Sequence, residues 1–108
     1  MKPTLPDIIL AVCLETGVSL HELGTGYRRT PDITAARRAI AHLARRLTYA
    51  SYPEIAAACG STGHATYFGA ERAAAELLDE QSPRHDPRFC AMVARIQSGL
   101  AESRKAGR

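Results

Sequence analysis

Apolar residues recur along the chain at spacings of three and four, and no stretch alternates apolar with polar as a half-buried strand does. The pattern predicts an all-α fold, a compact bundle of about six helices. The first starts near Leu5 and Pro6, where proline is tolerated in a first turn, carries Ile8, Ile9, Val12 and Cys13, and stops at Gly17. Ser19 and Glu22 have the spacing of a capping box, in which each side chain accepts from the other residue's amide, so a short helix follows and ends at Gly24. Residues 24–30 read as a loop. Pro31 or Asp32 opens a long helix to about Thr48, with Ile33, Ala36, Ile40, Leu43, Ala44 and Leu47 on one stripe. Arg37, Arg38, Arg45 and Arg46 fall largely outside it.

A second capping box, Ser51 with Glu54, begins a short helix bearing Ile55, Ala56 and Cys59, which Gly60 breaks. After a tight turn, a helix from about Gly63 to Asp79 places Tyr67, Ala70, Ala74 and Leu77 on one side. Two helices about a glycine turn form a helix-turn-helix pattern, preceded here by the basic loop Tyr27-Arg28-Arg29-Thr30. Asp86 and Pro87 then have the order of an N-cap and first helical residue, and Phe89, Met92, Val93, Ile96 and Leu100 form one face of a last helix. Residues 1–101 are thus expected to form one helix-turn-helix domain, and 102–108 a disordered basic tail.

At 108 residues the chain has the material for one core. Its net charge of +3 is unevenly spread: from Arg28 to Arg46, six arginines against Asp32 give +5, so the remainder is −2. Positive charge so confined is the footprint of a face that binds a polyanion. No apolar run approaches the ~20 residues of a membrane span, and Met1-Lys2-Pro3 does not begin a signal peptide, which reads as cytoplasmic. Cys13, Cys59 and Cys90 lie far apart without a C-x-x-C pair and read as free buried thiols.

Catalytic patterns are missing from the sequence. There is no G-x-x-x-x-G-K-[ST] phosphate loop. His21, His42, His64 and His85 make no H-x-x-x-H or H-E-x-x-H pair, and no paired carboxylates point to hydrolysis. The expectation is a protein without cofactor or metal and without enzymatic activity.

From about Ile8 to Leu100 the order of elements resembles the C-terminal DNA-binding domain of the DnaA family, bacterial chromosomal replication initiators. The resemblance rests on Tyr27-Arg28-Arg29-Thr30, on the arginine-bearing helix from Arg37 to Thr48, and on Ser51-Tyr52-Pro53-Glu54-Ile55. It also rests on Gly60 followed by Gly63-His64-Ala65-Thr66 at the family's D-H-[ST]-T signature, and on Phe89 and Ile96 in the last helix. The resemblance implies a helix-turn-helix in the major groove and a basic loop in the adjacent minor groove of a short asymmetric box of the TTATNCACA type. Arg29 then reads the narrow, negative A·T-rich minor groove, with Arg28 beside it on the backbone. His64, Ala65 and Thr66 stand at base-reading positions, Thr66 offering its methyl group to thymine. Arg37, Arg38, Arg45 and Thr48 stand at backbone-binding positions on the long helix, as do Tyr52, Pro53, Thr62 and Arg72 in the helix-turn-helix.

Departures from the family pattern bear on sequence preference. Gly63 replaces the signature aspartate, Ala65 the first threonine, Thr62 a frequent arginine and Pro31 a loop arginine. Each good base contact carries about 1–3 kcal/mol of discrimination, so preference for the box should be weaker or shifted. The function implied is that of a nucleoid-associated duplex-DNA binder, monomeric on its site, acting as a regulator or as a competitor at DnaA-box-like sequences. A replication or transcription protein is a possible further partner. The family's proteins carry an ATPase domain ahead of this one, and with four residues before Leu5 this chain is expected to occupy sites without nucleotide-controlled assembly. The alternative is a protein-interaction module of the same fold whose base reading has decayed.

Overall fold

The computed structural model describes residues 3–24, 30–60 and 63–106, the last four as backbone alone, and among these residues there are six helices and no strand. They are α1 (Leu5–Thr16), α2 (Leu20–Gly24), α3 (Pro31–Leu47), α4 (Tyr52–Ala58), α5 (His64–Leu78) and α6 (Pro87–Ala106). The all-α bundle expected from the periodicity is the fold observed.

Local chemistry sets the helix ends. The Ser19 and Ser51 hydroxyls accept from the amides of Glu22 and Glu54 at 3.1 and 3.3 Å, and each glutamate accepts in return from the serine amide at 2.9 Å. A third box opens α1, where Thr4 and Asp7 exchange the same pair of bonds. The short aspartate in place of Glu or Gln hides that box from the usual sequence signature. Thr30 caps α3, its Oγ1 accepting from the Ile33 amide at 3.2 Å, and Asp86 Oδ1 accepts from the amides of Arg88 and Phe89 at the start of α6. The last helix continues past Ala101 to Ala106, carrying helical backbone into the segment expected to be a tail.

The long helix α3 is the centre of the bundle, packed mainly against α5 and α1, while α6 lies on α1 and α5. Its buried set, Ile33, Ala36, Ala39, Ile40, Ala41, Leu43 and Ala44, is wider than the predicted stripe. A helix covered from two sides must bury more than one face, and its alanines let the neighbouring helices come close. Ile8, Val12, Leu23, Ile55, Tyr67, Phe89, Val93 and Ile96 are the larger side chains packed around it in the core. Of the three free thiols Cys59 is buried, whereas Cys13 and Cys90 are half-buried, correcting the expectation that all three lie in the core. Both sit where their helix leaves its apolar stripe; Cys90 Sγ lies 3.6 Å from the Leu77 carbonyl.

Candidate nucleic-acid interface

Two glycines bring the helix-turn-helix together. Gly60, after α4, adopts the left-handed φ of 77° that a side chain resists. It packs against the end of α2: a Cβ built on Gly24 would lie 3.0 Å from the Gly60 carbonyl oxygen and 3.2 Å from that of Cys59. Backbone thus meets backbone, and α4 and its turn are seated on α2. Beyond the turn, the buried Tyr67 anchors α5 to the core, and burial pushes its phenol well above the ordinary range.

With Tyr67, Ala70 and Ala74 holding the inner face of α5, its first turn is turned outward. His64, Ala65 and Thr66, the residues expected from the sequence to read bases, are all exposed there. Gly63 is the N-cap and supplies no side-chain cap; its carbonyl accepts from the Thr66 amide at 3.1 Å.

The residues expected from the sequence to bind the DNA backbone fall on both sides of α5. On one side, the C-terminal end of α3 meets α4 and α5 in a ladder of cations and rings. The Arg45 guanidinium lies 4.6 Å from the centroid of Tyr52, which meets Phe68 edge to face at 5.4 Å and 83°. Arg72 covers Phe68 at 5.8 Å. Arg45 Nη1 donates to the Ala50 carbonyl at 2.8 Å, and the Tyr52 hydroxyl donates to Glu71, a bond that pushes the Tyr52 phenol upward. Arg45, Tyr52 and Arg72 are therefore one assembly. Phe68 and Glu71 belong to it without having been singled out; the available signal was a large apolar residue one step off the α5 stripe.

On the other side, Thr34, Arg37 and Arg38 of α3 face Ala65, Thr66, Gly69, Ala70 and Ala73 of α5 across a groove of about 280 Å³. The two neighbouring arginines differ in their engagement. Arg37 Nη2 donates to the Leu23 carbonyl at 2.8 Å, tying α3 to α2, whereas Arg38 lies half-buried in the groove.

Thr48 and Pro53 lie at helix ends. The Thr48 hydroxyl donates to the Ala44 carbonyl at 2.6 Å and accepts from the Ala50 amide at 3.1 Å, shaping the exit from α3. Pro53 is exposed in the first turn of α4 but has no N–H, and the Ser51 and Glu54 amides serve the capping box. The amides at that helix start consequently have little to give an anion. Arg28, Arg29 and Thr62 lie outside the described residues. Near the C-terminal half of α3, His42 is half-buried between α3 and α5; burial, then Arg46, pull its pKa below 6.5 against the opposing charge of Glu71. Among the described residues no cluster of His, Cys, Asp or Glu could hold a metal ion, and no helix is long and apolar enough to cross a membrane.

Comparison with known proteins agrees with this geometry. The chromosomal replication initiator protein DnaA of Aliarcobacter butzleri (strain RM4018) is 28% identical over 101 residues, which cover 94% of this chain and 22% of that protein. The chain thus spans under a quarter of that relative's length. No solved structure matches. A family model described as the bacterial DnaA protein helix-turn-helix matches residues 5–73, from the start of α1 into the third turn of α5. On that match the chain belongs to the bacterial DnaA helix-turn-helix family.

Proposed function

We propose that this chain binds double-stranded DNA, presenting the first turn of α5 to the major groove and the basic loop at Arg28 and Arg29 to the adjacent minor groove. The observation that carries the reading is the flanking of an exposed His64-Ala65-Thr66 turn by arginines on both sides: Arg38 on one, Arg45 and Arg72 on the other. A helix start with outward side chains fits a groove, and cations on either side suit the phosphates that border it.

Within that reading, His64 and Thr66 read base edges, Ala65 offers a methyl group, and Arg29 reads the minor groove. The backbone contacts come from Arg45, Arg72 and Arg38, with Tyr52 supporting Arg45. Gly63 brings no side-chain acceptor to a cytosine amino group, so preference among sequences rests on fewer contacts than the family signature supplies. The chain acts as a monomer on asymmetric sites, without ATP hydrolysis, as a regulator or competitor at DnaA-box-like sequences in the nucleoid. Titration of a mixed-sequence duplex over a range of NaCl tests the proposal. The logarithm of affinity should fall linearly with that of salt, by roughly 0.9 per phosphate neutralised, and a flat response would reject it.

One observation favours a second reading, as a protein-interaction module. Leu10 and Leu14, 60% and 76% exposed, line a groove of about 480 Å³ between α1 and α6, on residues outside the arginine ladder. On that reading Leu14→Glu abolishes the biological activity and Arg45→Ala leaves it intact; the duplex reading requires the reverse.

A further inference from the structure

Gly69 stands in the middle of α5, on the exposed face of the helix that the proposed function sends into the groove. Glycine there disfavours the helix, because it gives up more backbone freedom than any other residue and adds no packing. The fold supplies no steric reason for it. A Cβ built at Gly69 meets nothing within 4 Å, and its φ is not in the left-handed region, in contrast to Gly24, where a Cβ would strike backbone, and Gly60, whose φ is 77°.

What the missing side chain leaves open is the groove between α3 and α5. Ala65, Gly69, Ala70 and Ala73 contribute at most a methyl group each to its α5 wall, while Thr34, Thr66 and Arg38 bring donors. Arg38 is half-buried, and among the described residues it makes no hydrogen bond or ion pair. A cation partly withdrawn from water without an opposing charge is poorly satisfied by the protein alone. The neighbouring Arg37, although committed to Leu23, adds positive charge to the same wall.

Resting on the duplex reading above, we infer that this groove seats one backbone phosphate, held by Arg38 with the hydroxyls of Thr34 and Thr66, and that Gly69 is the residue that lets the phosphate reach them. The bare backbone at position 69 sets how closely α5 approaches the strand, and the seat fixes the register of the first turn without itself specifying sequence. Gly69 is thus a positioning residue for base reading by His64 and Thr66.

The experiment is a fluorescence-anisotropy titration of a labelled mixed-sequence duplex over a series of NaCl concentrations, for the wild-type chain, Gly69→Leu, Arg38→Ala and the double variant, with a thermal melt of each. Gly69→Leu is expected to melt no lower than wild type and to bind about tenfold or more weakly at low salt, the loss of one charge-assisted contact. Its log–log salt slope should be shallower by roughly 0.9, the value of one phosphate. Arg38→Ala should lose the same slope, and the double variant should bind no worse than the weaker single one, because both remove one contact. Wild-type affinity and slope in Gly69→Leu would overturn the inference and leave the duplex reading standing, as would weaker binding with an unchanged slope or additive losses in the double variant. Failure of the wild type to bind any duplex at low salt would overturn both. Should Gly69→Leu fail to fold, Gly69→Ala applies the same test: a higher melting temperature with weaker binding supports the seat, and a higher melting temperature with unchanged binding and slope rejects it.

Discussion

The Arg45 guanidinium lies 4.6 Å from the centroid of the Tyr52 ring while donating to the Ala50 carbonyl, so stacking and hydrogen bonding hold one arginine in one orientation at the edge of the helix-turn-helix. Tyr52→Ala removes that support together with the edge-to-face contact with Phe68, and should cost about 2 kcal/mol in urea unfolding. Tyr52→Phe keeps both ring contacts and gives up only the bond to Glu71, so its loss should stay near 1 kcal/mol. Equal stability of the Ala variant and the wild type would show that the ladder holds nothing.

Two further glycines should respond in opposite ways to a methyl group. Gly24→Ala drives a Cβ to 3.0 Å from the Gly60 carbonyl oxygen, and backbone has no easy way to yield. The expected destabilisation is about 1–3 kcal/mol. Gly69→Ala enters open space within a helix and should stabilise by up to about 1 kcal/mol. Paired urea titrations check both signs.

The arginines of α3 should separate into structural and DNA-facing sets. Arg37→Ala leaves the Leu23 carbonyl without its 2.8 Å donor and should cost about 1–3 kcal/mol of stability. Arg45→Ala should cost less stability but reduce the log–log salt slope of duplex binding by roughly 0.9. Salt-dependent titrations alongside unfolding curves would refute this division if Arg37→Ala were the variant with normal stability and the reduced slope.

His42 predicts a pH dependence of stability. Burial and Arg46 depress its pKa from 6.5 in the folded chain, so the native state binds fewer protons than the unfolded state just below that value. The contribution is fully present above pH 6.5 and is lost as pH falls toward the folded pKa. Unfolding curves from pH 7.5 to 5 should show declining stability, and His42→Gln should flatten that part of the profile. An identical profile in the variant would assign the decline to other groups.

Much of this architecture is legible in the sequence because its punctuation is strong. Ser19 with Glu22, Ser51 with Glu54, and the stops at Gly17 and Gly24 are local signals whose chemistry does not depend on the rest of the chain. Thr4 with Asp7 makes the same bonds through a shorter side chain and is less conspicuous. Side-chain direction is harder to read. Arg37 and Arg38 are adjacent letters, yet successive helical residues point about 100° apart, and only the position of α2 determines that Arg37 meets Leu23. Phe68 was hidden for a related reason: an aromatic residue beside the buried Tyr67 joins the site only because α4 brings Tyr52 against it.

On the proposed function, the first turn of α5 and the arginines around it bind duplex DNA with the residual sequence preference of a family member lacking the signature aspartate. The most direct test is a fluorescence-anisotropy titration at two salt concentrations, comparing a labelled duplex carrying a TTATNCACA-type box with a scrambled duplex of equal composition. Salt-sensitive binding to both is expected, tighter for the box, with the preference lost in His64→Ala and Thr66→Ala. Absence of binding to either duplex at low salt would contradict it and favour the groove between α1 and α6 as the working surface.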